Sequence, residues 1–262
     1  MDAVEVDGLR IAYRRAGAGD PLLLLHGGFE DSRLWMDDIE RLQEHVDVIA
    51  WDAPGCGASD DVPDGWRAAD WSRTAASFID ALGLEHPAVA GFSFGSTLAL
   101  LLARDHPESV GGLVLVGAYA GWRGSLDADE FARRVEATQF TLTHPVEEWV
   151  DDFLASVYTP ETPPRRRNLS RELVDHWRRD TTRALLDVMM LDLSGALGSI
   201  ATPTLVARGV DDTRSPREAA LEIVERMPDA RFVEIADAGH DASGPALDAL
   251  LIEAAHAAAA VH

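Results

Sequence analysis

Short apolar runs recur along the chain, and stretches with apolar residues every three or four positions separate them. The short runs read as buried strands near Pro21 to Leu25, Val46 to Trp51, Ala88 to Phe92, Val110 to Gly117, Thr204 to Gly209 and Phe232 to Ala236. The longer stretches read as helices near Arg33 to Glu44, Arg67 to Leu82, Phe94 to Asp105, Pro216 to Met227 and Ser243 to Ala260. An opening hairpin spans about Val4 to Arg15 and turns at Asp7-Gly8. Such alternation predicts an α/β fold: a mostly parallel central sheet with helices on both faces and functional loops at the carboxyl ends of the strands. The interval from about Gly121 to Ile200 breaks the rhythm. It has no strong strand, and Asp127 to Phe140, Val146 to Tyr158 and Ser170 to Leu191 read as helices, separated by Thr143-His144-Pro145 and by Thr159 to Pro164.

One strand-to-helix junction carries chemistry. Gly91-Phe92-Ser93-Phe94-Gly95 joins the run ending at Phe92 to the helix beginning at Phe94. A tight turn there lifts a serine hydroxyl clear of its neighbours, and flanking glycines let the chain pass close to itself. The Phe94 N–H opens the helix, where free donors and positive dipole favour an oxyanion. The motif alone is weak; its strand-to-helix context marks Ser93 as a nucleophile. A general base comes from elsewhere in the fold, and His240 fits, since Arg231 to Ile235 alternates as a strand and Ala236 to His240 follows as a loop. Other histidines precede prolines (His86, His106, His144), lie in polar helical stretches (His45, His176) or belong to the tail (His256, His262). The orienting carboxylate belongs after the strand ending at Gly209, where Asp211 and Asp212 compete. Asp212 is favoured, three residues after Gly209 and four before Pro216, and serine, aspartate and histidine then appear in the chain order that accompanies such a turn.

With these residues in place the chain resembles the α/β-hydrolases over essentially its full length. The resemblance rests on Leu22 to Gly28, Asp52 to Ser59, the Ser93 turn, Gly209-x-x-Asp212-x-x-x-Pro216 and Gly239-His240. It implies a second oxyanion donor at the N–H of Gly28, with Phe29 as neighbour, and a structural role for His26 in bracing that loop. It also implies a hydrolase core over residues 1–120 and 201–262 with a helical cap inserted at 121–200. Trp122, Phe140, Trp149, Phe153, Tyr158, Trp177, Met189 and Met190 are the cap's candidates for pocket walls. Asp52 to Ser59 lacks the lysine and Ser/Thr of a P-loop and reads as the family's glycine-rich loop. The run Arg165-Arg166-Arg167 reads as a solvated hinge face rather than a carboxylate site.

Composition narrows the partners. At 262 residues and 47% hydrophobic the chain buries a large core, and a net charge of −22, with all 23 basic residues arginine, argues against nucleic acid. The acidic field disfavours distant anions only over short range, because salt screens it. No long uncharged apolar span or basic-then-apolar leader is visible, so no membrane partner is expected. The single cysteine, Cys56, excludes an internal disulfide and fits a cytoplasmic enzyme.

The expected activity is hydrolysis of a small ester or lactone through an acyl-enzyme on Ser93, without metal or organic cofactor. Small-ester and lactone hydrolases, including enol-lactonases, are the nearest resemblance. Carbon–carbon bond hydrolases come second, because Asp241 stands where they usually carry tryptophan. A hydrolase-fold receptor with little turnover is a third reading. An aminopeptidase would need an acidic anchor from Glu147, Glu148, Asp151 or Asp152.

Overall fold

In the computed structural model, residues 1–260 are described, which leaves His262 outside them. Eight strands form one sheet in the order β1-β2-β4-β3-β5-β6-β7-β8. They are β1 (Asp2–Val6), β2 (Leu9–Ala16), β3 (Pro21–Leu25), β4 (Asp47–Trp51), β5 (Ala88–Phe92), β6 (Gly112–Val116), β7 (Thr204–Gly209) and β8 (Ala230–Ile235). Strand β2 is antiparallel to both β1 and β4, and every later pairing is parallel. Because side chains alternate across a strand, each apolar run feeds two cores. Leu23, Leu25, Val89, Leu113, Leu115 and Val206 pack on one face, whereas Leu22, Leu24, Ala88, Ala90, Val114 and Leu205 pack on the other. This is why the central strands are apolar throughout rather than alternating.

The helices are α1 (Met36–Leu42), α2 (Ala68–Ala81), α3 (Phe94–Asp105), α4 (Trp122–Ser125), α5 (Ala128–Thr143), α6 (Val150–Val157), α7 (Pro164–Asp175), α8 (Arg179–Met189), α9 (Arg217–Arg226) and α10 (Pro245–Ala260). Residues of α2, α3 and α9 cover the first face, and those of α1 and α10 cover the second. Helices α4 to α8 all fall between β6 and β7.

The single helix expected over Ser170 to Leu191 is two. Helix α7 starts earlier, with Pro164 in its first turn, and the chain breaks at His176 to Arg178. Tertiary contacts hold the break open: Trp177 Nε1 donates to Thr182 Oγ1 at 2.6 Å, and the Arg178 guanidinium donates to the Gly57 and Ser59 carbonyls. Similarly, the stretch from Val146 splits into a short 3-10 turn and α6, and Arg33 to Glu44 divides into a 3-10 turn over Ser32–Trp35 and α1.

The run at 165–167 is not uniformly solvated. Arg166 is buried and holds a buried ion cluster, bonding Asp241 through Nε and Nη2, Asp38 through Nη1 at 3.3 Å and the Leu34 carbonyl at 2.9 Å. A charge at that depth persists only when paired, and here the pair ties α7 to the loop that follows β8. No helix among the described residues is long and apolar enough to cross a membrane.

Candidate active site

Ser93 occupies the turn between β5 and α3 with φ 52° and ψ −110°, a strained conformation for a side-chain-bearing residue. Its N–H donates to the Val116 carbonyl at 2.9 Å, which fixes the turn against β6. Close packing explains both flanking glycines. A Cβ at Gly91 would strike the Gly95 carbonyl, and one at Gly95 would strike the carbonyl of Leu25.

The loops after β7 and β8 meet. His240 Nδ1 lies 2.9 Å from Asp212 Oδ2, both residues being buried. Asp212 Oδ1 accepts the N–H groups of Arg214 at 2.7 Å and Ser215 at 2.9 Å, so both oxygens of the carboxylate are committed. Asp211, by contrast, is exposed. Burial would raise the Asp212 carboxyl, but its pairing and hydrogen bond with His240 and the two backbone donors outweigh that and hold it below the ordinary range. Burial lowers the His240 pKa below 6.5, with Asp212 opposing and the Arg214 and Arg134 cations assisting. The ring is therefore neutral at neutral pH. With Nδ1–H committed to Asp212, Nε2 is the free acceptor, and it is buried without a hydrogen-bond partner. Gly117, in positive φ, makes room for this ring: a Cβ there would stand 2.6 Å from imidazole Cε1.

Ser93, His240, Gly28, Phe29 and Phe94 share one cavity, with about 600 Å³ of unfilled space that opens to solvent. Its remaining walls are mainly apolar and come from the interval between β6 and β7, among them Trp122, Phe153, Trp177, Leu185, Leu186 and Met189. Phe29 sits at positive φ and packs its ring against Trp149, Phe153 and Trp177, with centroids 5.3, 5.2 and 5.3 Å away. Four of the proposed wall residues, Phe140, Trp149, Tyr158 and Met190, lie outside this lining. Tyr158 is buried with its hydroxyl bonded to Ser170 Oγ, away from the cavity, and Phe140 is partly exposed and stacks on His144. Phe140 and Trp149 instead line an outer groove that shares Phe29, Trp122, Phe153 and Arg214 with the inner cavity. Met190 lines neither.

The loops beneath the cavity are self-satisfied. His26 Nε2 accepts from the Ala53 N–H at 3.1 Å, which leaves Nδ1–H to donate to the Gly27 carbonyl at 2.8 Å, so the ring braces two loops and moves no proton. In the glycine-rich loop, Asp52 accepts from the Ser32 and Ala58 N–H groups and Ser59 Oγ donates to the Asp52 carbonyl. Those donors are spent within the fold, which fits no phosphate cradle. Cys56 is buried, and burial raises its thiol well above the ordinary range, so it is no nucleophile.

Sequence reasoning missed two ionisable residues in this cavity. Glu30 accepts from the Gly27 N–H at 2.9 Å, and burial, with Asp241 adding to it, pushes its carboxyl up to about 8. Arg214, two positions after Asp212, reaches the cavity from the loop after β7. A charged residue in a loop beside an aspartate pair gives no sequence signal of facing inward. Arg166 sat in a visible basic run, but only its partners show that it is buried.

The family profile for the alpha/beta hydrolase fold matches residues 20–244. The 2-hydroxy-6-oxo-6-phenylhexa-2,4-dienoate hydrolase of Comamonas testosteroni is 29% identical over 248 residues, 88% of this chain and 84% of that one. Among solved structures, the esterase EaEST of Exiguobacterium antarcticum superposes with a TM-score of 0.87 at 22% identity, covering 98% of both chains. The enol-lactonase of Burkholderia xenovorans LB400 superposes with a TM-score of 0.84 at 19% identity, over 98% of this chain and 99% of that one.

Proposed function

The chain belongs to the α/β-hydrolase family, and from that premise we propose that it is a serine hydrolase of small carboxylic esters or lactones, acting through an acyl-enzyme on Ser93. One observation carries the reading: a neutral histidine, oriented by a buried aspartate, presents an unpartnered nitrogen in the same apolar cavity as a serine on a strained strand-to-helix turn.

Chemistry supplies the sequence of steps. Ser93 Oγ attacks the carbonyl carbon as its proton passes to His240 Nε2, and the Asp212 carboxylate stabilises the imidazolium. The N–H groups of Gly28 and Phe94 meet the oxyanion. Collapse expels the alcohol or enol, which takes the proton from His240. Water, deprotonated by the same ring, then releases the acid and restores the serine. Hydrogen bonds to the serine tighten only with substrate in many such sites, so the lack of a Ser93–His240 bond is compatible with this role.

The test is hydrolysis of p-nitrophenyl esters of graded acyl length by the wild type and Ser93→Ala, with fluorophosphonate labelling in parallel. Serine-dependent multiple turnover is expected. Labelling without ester turnover would point to the second reading, carbon–carbon bond hydrolysis, which the likeness to the dienoate hydrolase favours. Binding with scarcely any turnover would point to a receptor. Asp241 bears on the second reading: it anchors Arg166 and so does not face substrate as a tryptophan beside the histidine would.

A further inference from the structure

Arg214 is out of place in an apolar cavity unless something anionic meets it. Its backbone is clamped on both sides: its N–H donates to Asp212, and its carbonyl accepts from the Tyr119 hydroxyl and from Arg134 Nη2, each at 2.6 Å. Its guanidinium lies 5.1 Å from the centroid of the Phe153 ring, and Nη1 donates to Ser156 Oγ at 2.7 Å. Ser156 in turn donates its own proton to the Phe153 carbonyl, so this hydroxyl contributes no charge and no further donor. No carboxylate among the described residues forms an ion pair with Arg214, whereas the neighbouring Arg134 is paired with Glu130. Nε and Nη2 make no hydrogen bond among the described residues. Together they form the edge of the guanidinium that grips a carboxylate with two parallel hydrogen bonds.

We infer that Arg214 reads a carboxylate on the substrate, so that the preferred ester or lactone carries a second, ionised acid group. The inference rests on the serine-hydrolase reading and narrows it. The charge balance inside the cavity agrees. Asp212 is committed to His240, and Glu30, with its carboxyl pushed up to about 8, is mostly neutral at pH 7. Burial and the nearby Arg134 cation both pull the Arg214 pKa down, the mark of a positive charge without adequate compensation, although an arginine keeps its proton. A molecule of net charge −22 therefore lines this cavity with an arginine, while the Asp212 carboxylate lies behind His240, outside the lining. The outer groove holds both signs, with Arg133, Arg134 and Arg214 against Glu136, Glu148 and Asp152, so selection falls to the inner cavity, where Arg214 is the one arginine of the lining among the described residues. The same cation argues against recognition of a substrate amine there.

Two matched substrate pairs test this. One compares the p-nitrophenyl monoesters of C4 to C8 dicarboxylic acids with those of the corresponding monoamides, which have the same shape without charge. The other compares acetyl esters of 4-hydroxybenzoate and 4-hydroxybenzamide, which puts the charge in the leaving half. For each pair the ratio of kcat/KM, charged over neutral, is measured in the wild type, Arg214→Lys and Arg214→Met. In at least one pair the ratio should fall on the order of 10- to 100-fold in Arg214→Met, with partial rescue in Arg214→Lys. Equal ratios in all three proteins, with neutral esters still cleaved in a Ser93-dependent manner, would overturn the carboxylate inference and leave the hydrolase reading intact. Absence of Ser93-dependent cleavage already in the wild type would instead sink the ester-hydrolase reading. In that event, or if Arg214→Met does not fold, calorimetric binding of glutarate against glutaramide to the wild type and Arg214→Lys decides. Equal affinities in the wild type would overturn the inference, and a preference for glutarate that weakens in Arg214→Lys would support it.

Discussion

Glu30→Gln isolates one buried proton. In the folded chain Glu30 is enclosed, its carboxyl pushed up to about 8 from an ordinary 4.5, so folding favours the protonated acid. Its stabilising contribution is therefore full below pH 4.5 and is lost as pH rises toward 8, because the unfolded chain ionises first. Linkage between those two values gives a loss on the order of 2–3 kcal/mol between pH 5 and pH 7. Glutamine keeps an acceptor for the Gly27 N–H and cannot ionise. Urea unfolding of both proteins at pH 5, 6, 7 and 8 should show the wild type losing ground to the variant by about that amount from pH 5 to pH 7 and further by pH 8, with a slope approaching 1.4 kcal/mol per pH unit. Taking the difference cancels the titration of groups the two proteins share. A wild-type-minus-variant stability that stays constant over this range would refute the reasoning, since Glu30 would then ionise alike in both states.

Other outcomes follow from the same geometry. The acid limb of kcat/KM should have its midpoint below 6.5, because activity needs neutral His240 and burial lowers its pKa; in Arg214→Met the midpoint should move up, since a cation that assists the lowering is gone. Gly117→Ala should cut kcat by roughly 100-fold or more through displacement of the His240 ring, and a crystal structure with the ring unmoved would contradict this. Arg166→Met strands Asp241 in the interior, while Asp38 keeps Arg41, and should cost roughly 3–5 kcal/mol in chemical denaturation, whereas an exposed arginine such as Arg165 should cost under about 1 kcal/mol. Gly95→Ala should fail to accumulate as folded protein, measurable as loss of the cooperative unfolding transition, because its Cβ meets backbone rather than a movable side chain.

The sequence alone determined what local periodicity and turn chemistry can encode. Strands β3, β5 and β7 and helix α3 fall where their apolar runs begin and end, because a buried strand needs an apolar stretch of its own length and a helix needs its own. The Ser93 turn and the glycine before His240 were visible for the same reason, although Gly239 is needed for space against Thr159 rather than for an unusual φ. Tertiary structure decided everything that depends on partners distant in sequence. Spacing favoured Asp212 over Asp211, but its pairing is made with a residue 28 positions away, and Arg166 is buried against carboxylates 75 and 128 positions away. The helix breaks beside Trp177 where the Arg178 guanidinium finds the Gly57 and Ser59 carbonyls, and the Tyr158 hydroxyl, outside the cavity, finds Ser170. An aromatic or charged residue in an amphipathic helix has the same pattern whether it faces substrate, a neighbour or solvent. Which of these it meets is set by the free energy of pairing in the assembled fold, and that is written in no single stretch of the chain.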